Sequence, residues 1–521
     1  MRDEIASHKK VGTWDLVSAS NLPKGSKVVG STWSYKLKRN ADGTISRYKA
    51  RFCAQGFSQI DGLHYNQTYS NAISRDAFRF LLAYSAMMNL KLTGGDIKTA
   101  YLNGWIEKDL ILLMKQPQGF EETGPDGDKL LCKLVRSIYG LKQSGARWEA
   151  RLVEHLIGQG FERCQADQCL YKLQQGNDTL ILAVYVDDLI FASSSDTLRE
   201  SVMAKLRKDF EVSDTGPLTW VLGTAVKQDM EEGTITLSQK LYIEDVVHTF
   251  LTKEEATTIK KGTRVVPCNL EISSLSSLPE GEEPDPMYRR GVGMLAWLVA
   301  ITRPDIAYAQ SILSRFSSGG GAAHMETLKN VVRYLNKTKH YSITYQKDQS
   351  RDLMKLLTSH SKFRCEVLES DELVTFTDTS MGGAKPMAGE IHMYGGDPIS
   401  WRGARLPHTP LSSCESEYLG ASRAAVTALH LRQIETFLKS KKLTKPTVIF
   451  CDNLAAVMLS DSNTSSKRMK HVATRIAFLQ ELIEAKHIYL YHVGTKGQLA
   501  DIFTKALLAS VFHELRSIIL A

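Results

Sequence analysis

The stretch Leu180–Ser193 reads LILAVYVDDLIFAS, and its reading decides the fold. Strand-forming residues flank Asp187 and Asp188 on both sides, which predicts a β-hairpin with the two carboxylates at its tip. Burying a lone ionised carboxylate among apolar side chains is very unfavourable unless a partner or a metal offsets the lost hydration. Aspartate is also a common turn residue, so the pair alone leaves a plain turn and a metal site both open. A second feature weighs for the metal. In TGGDIKTAYLNG, Asp96 ends an apolar–polar run just before a predicted helix. Mg²⁺ takes few protein carboxylates and shares the rest of its shell with substrate phosphates. Asp96 with the Asp187/Asp188 pair would suit a metal-bound triphosphate.

Working outward, a chain of 521 residues is too long for one small domain. Its net charge of +8 is compatible with a polyanionic partner, although many basic proteins bind no nucleic acid. The 8 cysteines are scattered with no C-x-x-C pair. That argues against a disulfide scaffold and a zinc site, and suits a reducing compartment. The opening residues, MRDEIASHKKVGTWDLV, show no signal-peptide core, and the apolar run around GMLAWLVAI is too short to span a bilayer. The expectation is an intracellular, soluble protein without a membrane partner.

Residues 271–286, rich in Ser, Pro and Glu, and residues 347–372, where charge rises and periodicity falls, read as linkers. Between them, 287–346 reads as a helical pair, YRRGVGMLAWLVAITRPDIAYAQSILSRF and HMETLKNVVRYLNK, joined by GGGAAH at 319–324. Leu328, Val331, Val332 and Leu335 fall on one face of the second helix. Beyond 373, strand-like VTFTDTS, TVIFCDN and IYLYHV alternate with helical ESEYLGASRAAVTALHLRQIETFLKS, RMKHVATRIAFLQELIEA and QLADIFTKAL. This alternation predicts an α/β layer structure.

That last part carries a second set of acids. Asp378 and Asp452 end strands, Glu417 begins the long helix, and Asp501 opens the last one. Ligands of α/β sheets gather outside the carboxyl ends of strands. Four acids converging there would repel one another unless cations bind.

In its motifs and their order, the chain resembles the Pol polyprotein of copia-type LTR retrotransposons (Pseudoviridae). The matching blocks are GTWDLV, RYKARFCAQGF, DIKTAYLNG, YGLKQSGARWEARL, YVDD, WVLG and YRRGVGMLAWLVAITRPDIAYA. The resemblance runs from about Glu4 to Leu507. It implies an α+β right-hand polymerase (fingers, palm and thumb, 1–270), a helical connection (287–346) and an α/β RNase H-like domain (373–521). The implied activity is RNA-directed DNA polymerisation by two-metal phosphoryl transfer, with hydrolysis of the RNA strand of RNA–DNA hybrids.

The resemblance also implies roles. Asp96 and Asp187, supported by Asp188, would hold two Mg²⁺ (or Mn²⁺) ions. Tyr101 would exclude a ribose 2′-OH, Lys49 and Arg51 would face the triphosphate, and Gln143 would line the nucleotide pocket. Leu222 and Gly223 would grip the primer. Asp378, Glu417, Asp452 and Asp501 would hold two further ions, Glu417 being preferred to Glu415 on helix phase. His471, in RMKHVATR, matches a basic block that would touch substrate or serve structurally. RYKARFCAQGF and the RPDIA helices are the candidate nucleic-acid surfaces.

Implied partners are an RNA or DNA template–primer, RNA–DNA hybrid, dNTPs and a priming RNA. An integrase and a protease would come from upstream parts of a polyprotein: no H-x-x-x-H…C-x-x-C module occurs here, and the D-T-G at Asp214–Gly216 lies just before WVLG, inside the polymerase-like part. The implied setting is a cytoplasmic virus-like particle with a nuclear stage. The chain departs from the family after TDTSMGGAKPMAG, which predicts a shortened first nuclease hairpin, and at His64, which replaces a common acid. A decayed element that binds nucleic acid without catalysis stays open as the alternative.

Overall fold

The hairpin predicted from LILAVYVDDLIFAS is present. In this computed structural model, Asp178–Tyr185 pairs antiparallel with Asp188–Ser193, Tyr185 opposite Asp188, leaving Val186 and Asp187 as the turn. The structure describes residues 1–22, 26–39, 44–107, 109–125, 127–257, 266–269, 272, 275–278, 281, 283–347, 350–360, 372–381, 386–460 and 473–520.

The hairpin lies inside a six-stranded sheet. Its order is Val212–Pro217, Lys91–Ile97, Asp188–Ser193, Asp178–Tyr185, Leu170–Gln175, Glu162–Arg163. Alternate residues Leu180, Leu182, Val184, Leu189 and Phe191 share a core with Trp148, Leu152 and Leu156 and with Leu198, Val202 and Leu206. The i, i+4 spacing puts each of the last two sets on one face of its helix, Ser144–Gly158 or Asp196–Asp209. Each fully buried aliphatic side chain contributes roughly 2 kcal/mol. A few of them outweigh the roughly 1–2 kcal/mol that a β-branched residue costs in the left-handed region, which Val186 occupies at φ 58.

Two compact units divide the chain, and they cut across the boundaries read from sequence. The first comprises Met1–Ile73, Thr93–Cys164 and Gln168–Gly216. Besides the six-stranded sheet it holds a four-stranded sheet and a two-stranded basic hairpin, Ser31–Arg39 with Ile45–Ala54.

The second unit comprises Ser74–Leu92, Gln165–Asp167 and Pro217–Ala521. A four-stranded sheet orders Trp220–Val221, Thr224–Asp229, Thr234–Ser238 and Ile343–Gln346. A five-stranded sheet orders Asp397–Arg405, Met387–Tyr394, Leu373–Ser380, Thr447–Cys451 and Ile488–His492. Its first three strands are antiparallel and the last two join in parallel, as the α/β alternation requires. Helix Arg75–Met87 packs in this unit. Its Arg79 donates from Nε to the Ile399 carbonyl at 2.7 Å and from Nη1 to the Ala300 carbonyl at 2.7 Å. The same guanidinium lies 3.9 Å from the centre of the Trp401 ring, and Trp401 donates to the Val299 carbonyl at 2.7 Å.

Several expectations are corrected. The stretch 347–372 contains a helix, Ser350–His360, whose Leu353, Leu356 and Leu357 recur at helical spacing and are buried. Residues 361–371 lie outside the described residues, as do His471 and much of 271–286. The first helix of the predicted pair is broken into Tyr288–Ile301 and Ala307–Ser314 by a 3₁₀ turn at Pro304–Ile306. Proline lacks an N–H and pushes the residue before it out of the helical region.

Within the RPDIA helices, the RPDIA residues themselves are buried and offer no nucleic-acid surface. Arg303 is fully buried, donating to Asp305 at 2.9 and 2.7 Å and to the Thr338 carbonyl at 3.1 Å. QLADIFTKAL forms a 3₁₀ turn, Leu499–Phe503, and the helix starts only at Ala509. That turn lies on a glycine floor: a Cβ on Gly389 or Gly403 would sit 2.8 or 2.9 Å from the carbonyls of Ala500 or Phe503. In the hairpin predicted to be short, Leu373–Ser380 pairs residue for residue with Met387–Tyr394.

Candidate active sites

In the first unit, Asp96 precedes the last residue of strand Lys91–Ile97, and Asp187 occupies the hairpin turn. The Ile97 amide donates to the Asp187 carbonyl at 2.9 Å. From the underlying helix, Trp148 donates its indole N–H to the Val186 carbonyl at 2.7 Å. Burial, then the charges of Asp187 and Asp96, push Asp188 up to about 6. The three acids thus share one electrostatic field.

Tyr101 follows in the 3₁₀ turn Ala100–Asn103, half-buried with its ring 5.4 Å from that of Tyr139. Burial and the charge of Asp187 raise its hydroxyl above the usual tyrosine value. Arg51 lies 4.9 Å from the centre of the Tyr139 ring, and its buried Nε has no hydrogen-bond partner among the described residues. Lys49 stands two residues earlier on the same strand, opposite Lys36. By strand alternation it shares a face with Arg51. A buried guanidinium nitrogen without an acceptor, on the basic hairpin, is what a phosphate oxygen would complete.

Gln143 is fully buried. Its Nε2 donates to the His64 carbonyl at 2.8 Å, and its Oε1 accepts from Gln59 Nε2 at 2.9 Å. Gln59 in turn accepts from the Lys142 amide at 2.8 Å. The amide therefore braces the YGLKQ loop instead of lining an open pocket. His64, whose replacement of an acid had no evident consequence in sequence, accepts from the Ile60 amide through Nδ1 at 3.0 Å. Leu222 and Gly223 belong to the second unit. They form a two-residue hairpin turn with φ 49 and 70, the paired positive values of a type I′ turn.

The second unit holds the other acids. Asp378 lies in strand Leu373–Ser380, Asp452 follows strand Thr447–Cys451, and Asp501 sits in the 3₁₀ turn Leu499–Phe503. Oxygens of these three come within 4.8 Å of one another, and Glu417 and Asp452 form a like group with Cys451. Among the described residues no other groups of three potential ligands converge so closely, so the acids of the first unit do not.

Glu417 lies in helix Ser413–Lys439, and its neighbour Gly420 lets the helix approach the strand: a Cβ there would meet Thr379 Cγ2 at 2.7 Å. Burial, then Asp378, pushes Glu417 up to about 8 and Asp501 up to about 7; the same two causes raise Asp452. Glu415 turns away, accepting from the Leu411 amide at 2.5 Å at the helix start. Thr504 donates to Asp378 through its hydroxyl. Lys505, which sequence reasoning did not single out, pairs with Asp501 at 2.8 Å and with Asp378 at 3.8 Å.

Hard carboxylate oxygens converging at the strand ends, protonated more readily than usual because of burial and one another's charge, suit a divalent cation. The set Asp378, Asp452 and Asp501, with Glu417, fits such an ion. In the first unit, Asp96 and Asp187 offer the same chemistry without that convergence.

Residues 11–261 match the family model described as reverse transcriptase (RNA-dependent DNA polymerase). The chain is 32% identical over 522 residues to the retrovirus-related Pol polyprotein from transposon RE1 of Arabidopsis thaliana, covering 99% of this chain and 33% of that protein. It is 29% identical over 528 residues to the corresponding protein of transposon TNT 1-94 of Nicotiana tabacum, covering 98% and 37%. The chain thus spans about a third of the length of the curated relatives it matches. Among solved structures, a foamy viral protease–reverse transcriptase in complex with double-stranded DNA matches at TM-score 0.47 and 14% identity, over 94% of this chain and 69% of that one.

Proposed function

We propose, for a chain that belongs with the copia-type retrotransposon Pol polyproteins, that it is an RNA-directed DNA polymerase with an attached RNase H. The observation that carries the reading is the pair of acid sets at strand and turn ends, Asp96/Asp187/Asp188 and Asp378/Glu417/Asp452/Asp501, on two separate sheets. Each set would hold two Mg²⁺ or Mn²⁺ ions, which when bound would supply Lewis-acid activation of an attacking oxygen and charge for the leaving one.

The protein's own part is positional. The Ile97–Asp187 and Trp148–Val186 bonds hold the first carboxylates in place before substrate arrives. Arg51 and Lys49 would receive the triphosphate of a dNTP, and the Tyr101 ring would close the sugar site against a 2′-OH. Leu222–Gly223 would contact the primer end. In the second unit, Thr504 holds Asp378 by its hydroxyl, and Glu417 in its buried place can keep or release a proton near neutral pH. Template–primer and RNA–DNA hybrid would be gripped through their backbones, so binding should weaken with salt and tolerate any sequence. A priming RNA, upstream integrase and protease segments and a cytoplasmic particle with a nuclear stage complete the proposed setting.

The test is Mg²⁺-dependent dTTP incorporation on poly(rA)·oligo(dT) and cleavage of an RNA–DNA hybrid. Asp187→Asn should abolish the first alone and Asp378→Asn the second alone. A folded wild-type chain that binds the duplex yet does neither would overturn the reading in favour of a catalytically decayed element.

A further inference from the structure

We propose that Lys505 is a tethered counter-ion of the nuclease-like carboxylates. It competes with divalent cations for Asp378 and Asp501, and so sets the metal concentration at which that site fills. The proposal rests on the reading of this site as a metal-dependent nuclease.

The geometry points to competition. Lys505 stands four residues after Asp501, its Nζ 2.8 Å from Asp501 Oδ1 and 3.8 Å from Asp378 Oδ2. The side chains of Asp378 and Asp501 are 3% and 4% exposed, whereas that of Lys505 is 35% exposed. The acids are fixed and the cation is the member free to leave. A magnesium ion bound to a carboxylate oxygen lies about 2.1 Å from it. An ammonium on the same Asp501 oxygen occupies the approach such an ion would use, and two cations there repel.

The ammonium also has a reason to stay. Among the described residues, Lys505 is the cation that forms ion pairs with these acids. It therefore holds the converging carboxylates together in the metal-free protein. A lysine stem of four flexible carbons lets it swing aside when a metal arrives. The alternative is a purely structural ion pair, whose loss would loosen the acids and weaken metal binding.

The experiment uses the full chain carrying Asp96→Asn and Asp187→Asn, which removes the first unit's candidate metal ligands. Mn²⁺ binding is followed by electron paramagnetic resonance and by the rise in Tm. Lys505→Met, Lys505→Gln and Lys505→Arg are compared with this parent, each with and without Asp378→Asn. Competition predicts that both neutral variants bind Mn²⁺ roughly tenfold tighter, that both lose Tm without metal and recover it with metal, and that Lys505→Arg stays near the parent. Unchanged or weaker binding in both neutral variants, with binding still dependent on Asp378, overturns the proposal and leaves the nuclease reading standing. Mn²⁺ binding that ignores Asp378→Asn in every background overturns the nuclease reading itself, and the proposal with it.

Discussion

The amide of Ile97 donates to the carbonyl of Asp187 at 2.9 Å, so the strand that carries Asp96 and the turn that carries Asp187 are joined through main chain alone. No carboxylate takes part in that bond. Asp187 can therefore be neutralised without removing the bond that joins its turn to the strand, which makes Asp187→Asn a clean test of chemistry.

Trp148→Phe removes the indole donor to the Val186 carbonyl and leaves a small void in the core. We predict a loss of about 2 kcal/mol in urea unfolding and a larger relative loss of dNTP incorporation than of RNA cleavage. Equal losses in both activities would show that the indole only supports general stability.

The two glutamates at the start of helix Ser413–Lys439 should separate cleanly. Glu415→Gln weakens a cap on the Leu411 amide, and should cost about 1 kcal/mol while cleavage of a hybrid persists. Glu417→Gln should abolish cleavage and raise the Tm of the metal-free protein, because it removes a carboxyl whose buried site disfavours the ionised form that the unfolded chain adopts. Retained cleavage in Glu417→Gln would reassign the fourth acid.

Stability should depend on pH with a definite sign. Glu417 and Asp501 are raised to about 8 and about 7, above their ordinary carboxylate values. Between those ordinary values and about 8 the folded chain keeps protons that the unfolded chain releases, so stability falls as pH rises. Calorimetry in EDTA should show Tm declining through this window. Mg²⁺, which favours the ionised forms, should flatten the decline, as should Glu417→Gln. A Tm that climbs across the same window in the metal-free protein would refute the assignment.

Gln143→Leu should act on stability before it acts on nucleotide. It leaves Gln59 Nε2 and the His64 carbonyl without their partner inside the protein, a cost of roughly 2–3 kcal/mol. The comparison of KM for dTTP with Tm separates this bracing role from direct contact. A variant of unchanged Tm with a raised KM would put the amide back in the pocket.

Much of this was legible beforehand. Strand-forming residues on either side of Asp187–Asp188 marked the hairpin, and the C-terminal strands and long helix followed from the alternation of strand-like and helical segments. What sequence concealed was packing. Arg303 and Asp305 look like surface charges in RPDIA until their bidentate pair closes inside the core. The 3₁₀ turn of Asp501 depends on glycines about a hundred residues away, Gly389 and Gly403, which no local periodicity reveals. Helix phase preferred Glu417 to Glu415, and the structure adds the physical difference: Glu415 accepts from the Leu411 amide, whereas Glu417 groups with Cys451 and Asp452. Lys505 lies within QLADIFTKAL, four residues after Asp501, but its second partner, Asp378, is far back in the chain.

Helix Arg75–Met87 and strand Asp397–Arg405 are more than 300 residues apart in sequence, yet the guanidinium of Arg79 is spent on the Ile399 carbonyl and the Trp401 ring. Recombination that exchanged the C-terminal part for a foreign one would take from Arg79 the acceptor of its Nε and the ring over its guanidinium, leaving its pair with Asp76. The two segments must then descend together as a co-adapted pair, and the lineage of the nuclease-like sheet should track that of the polymerase-like part and not diverge as an independent module.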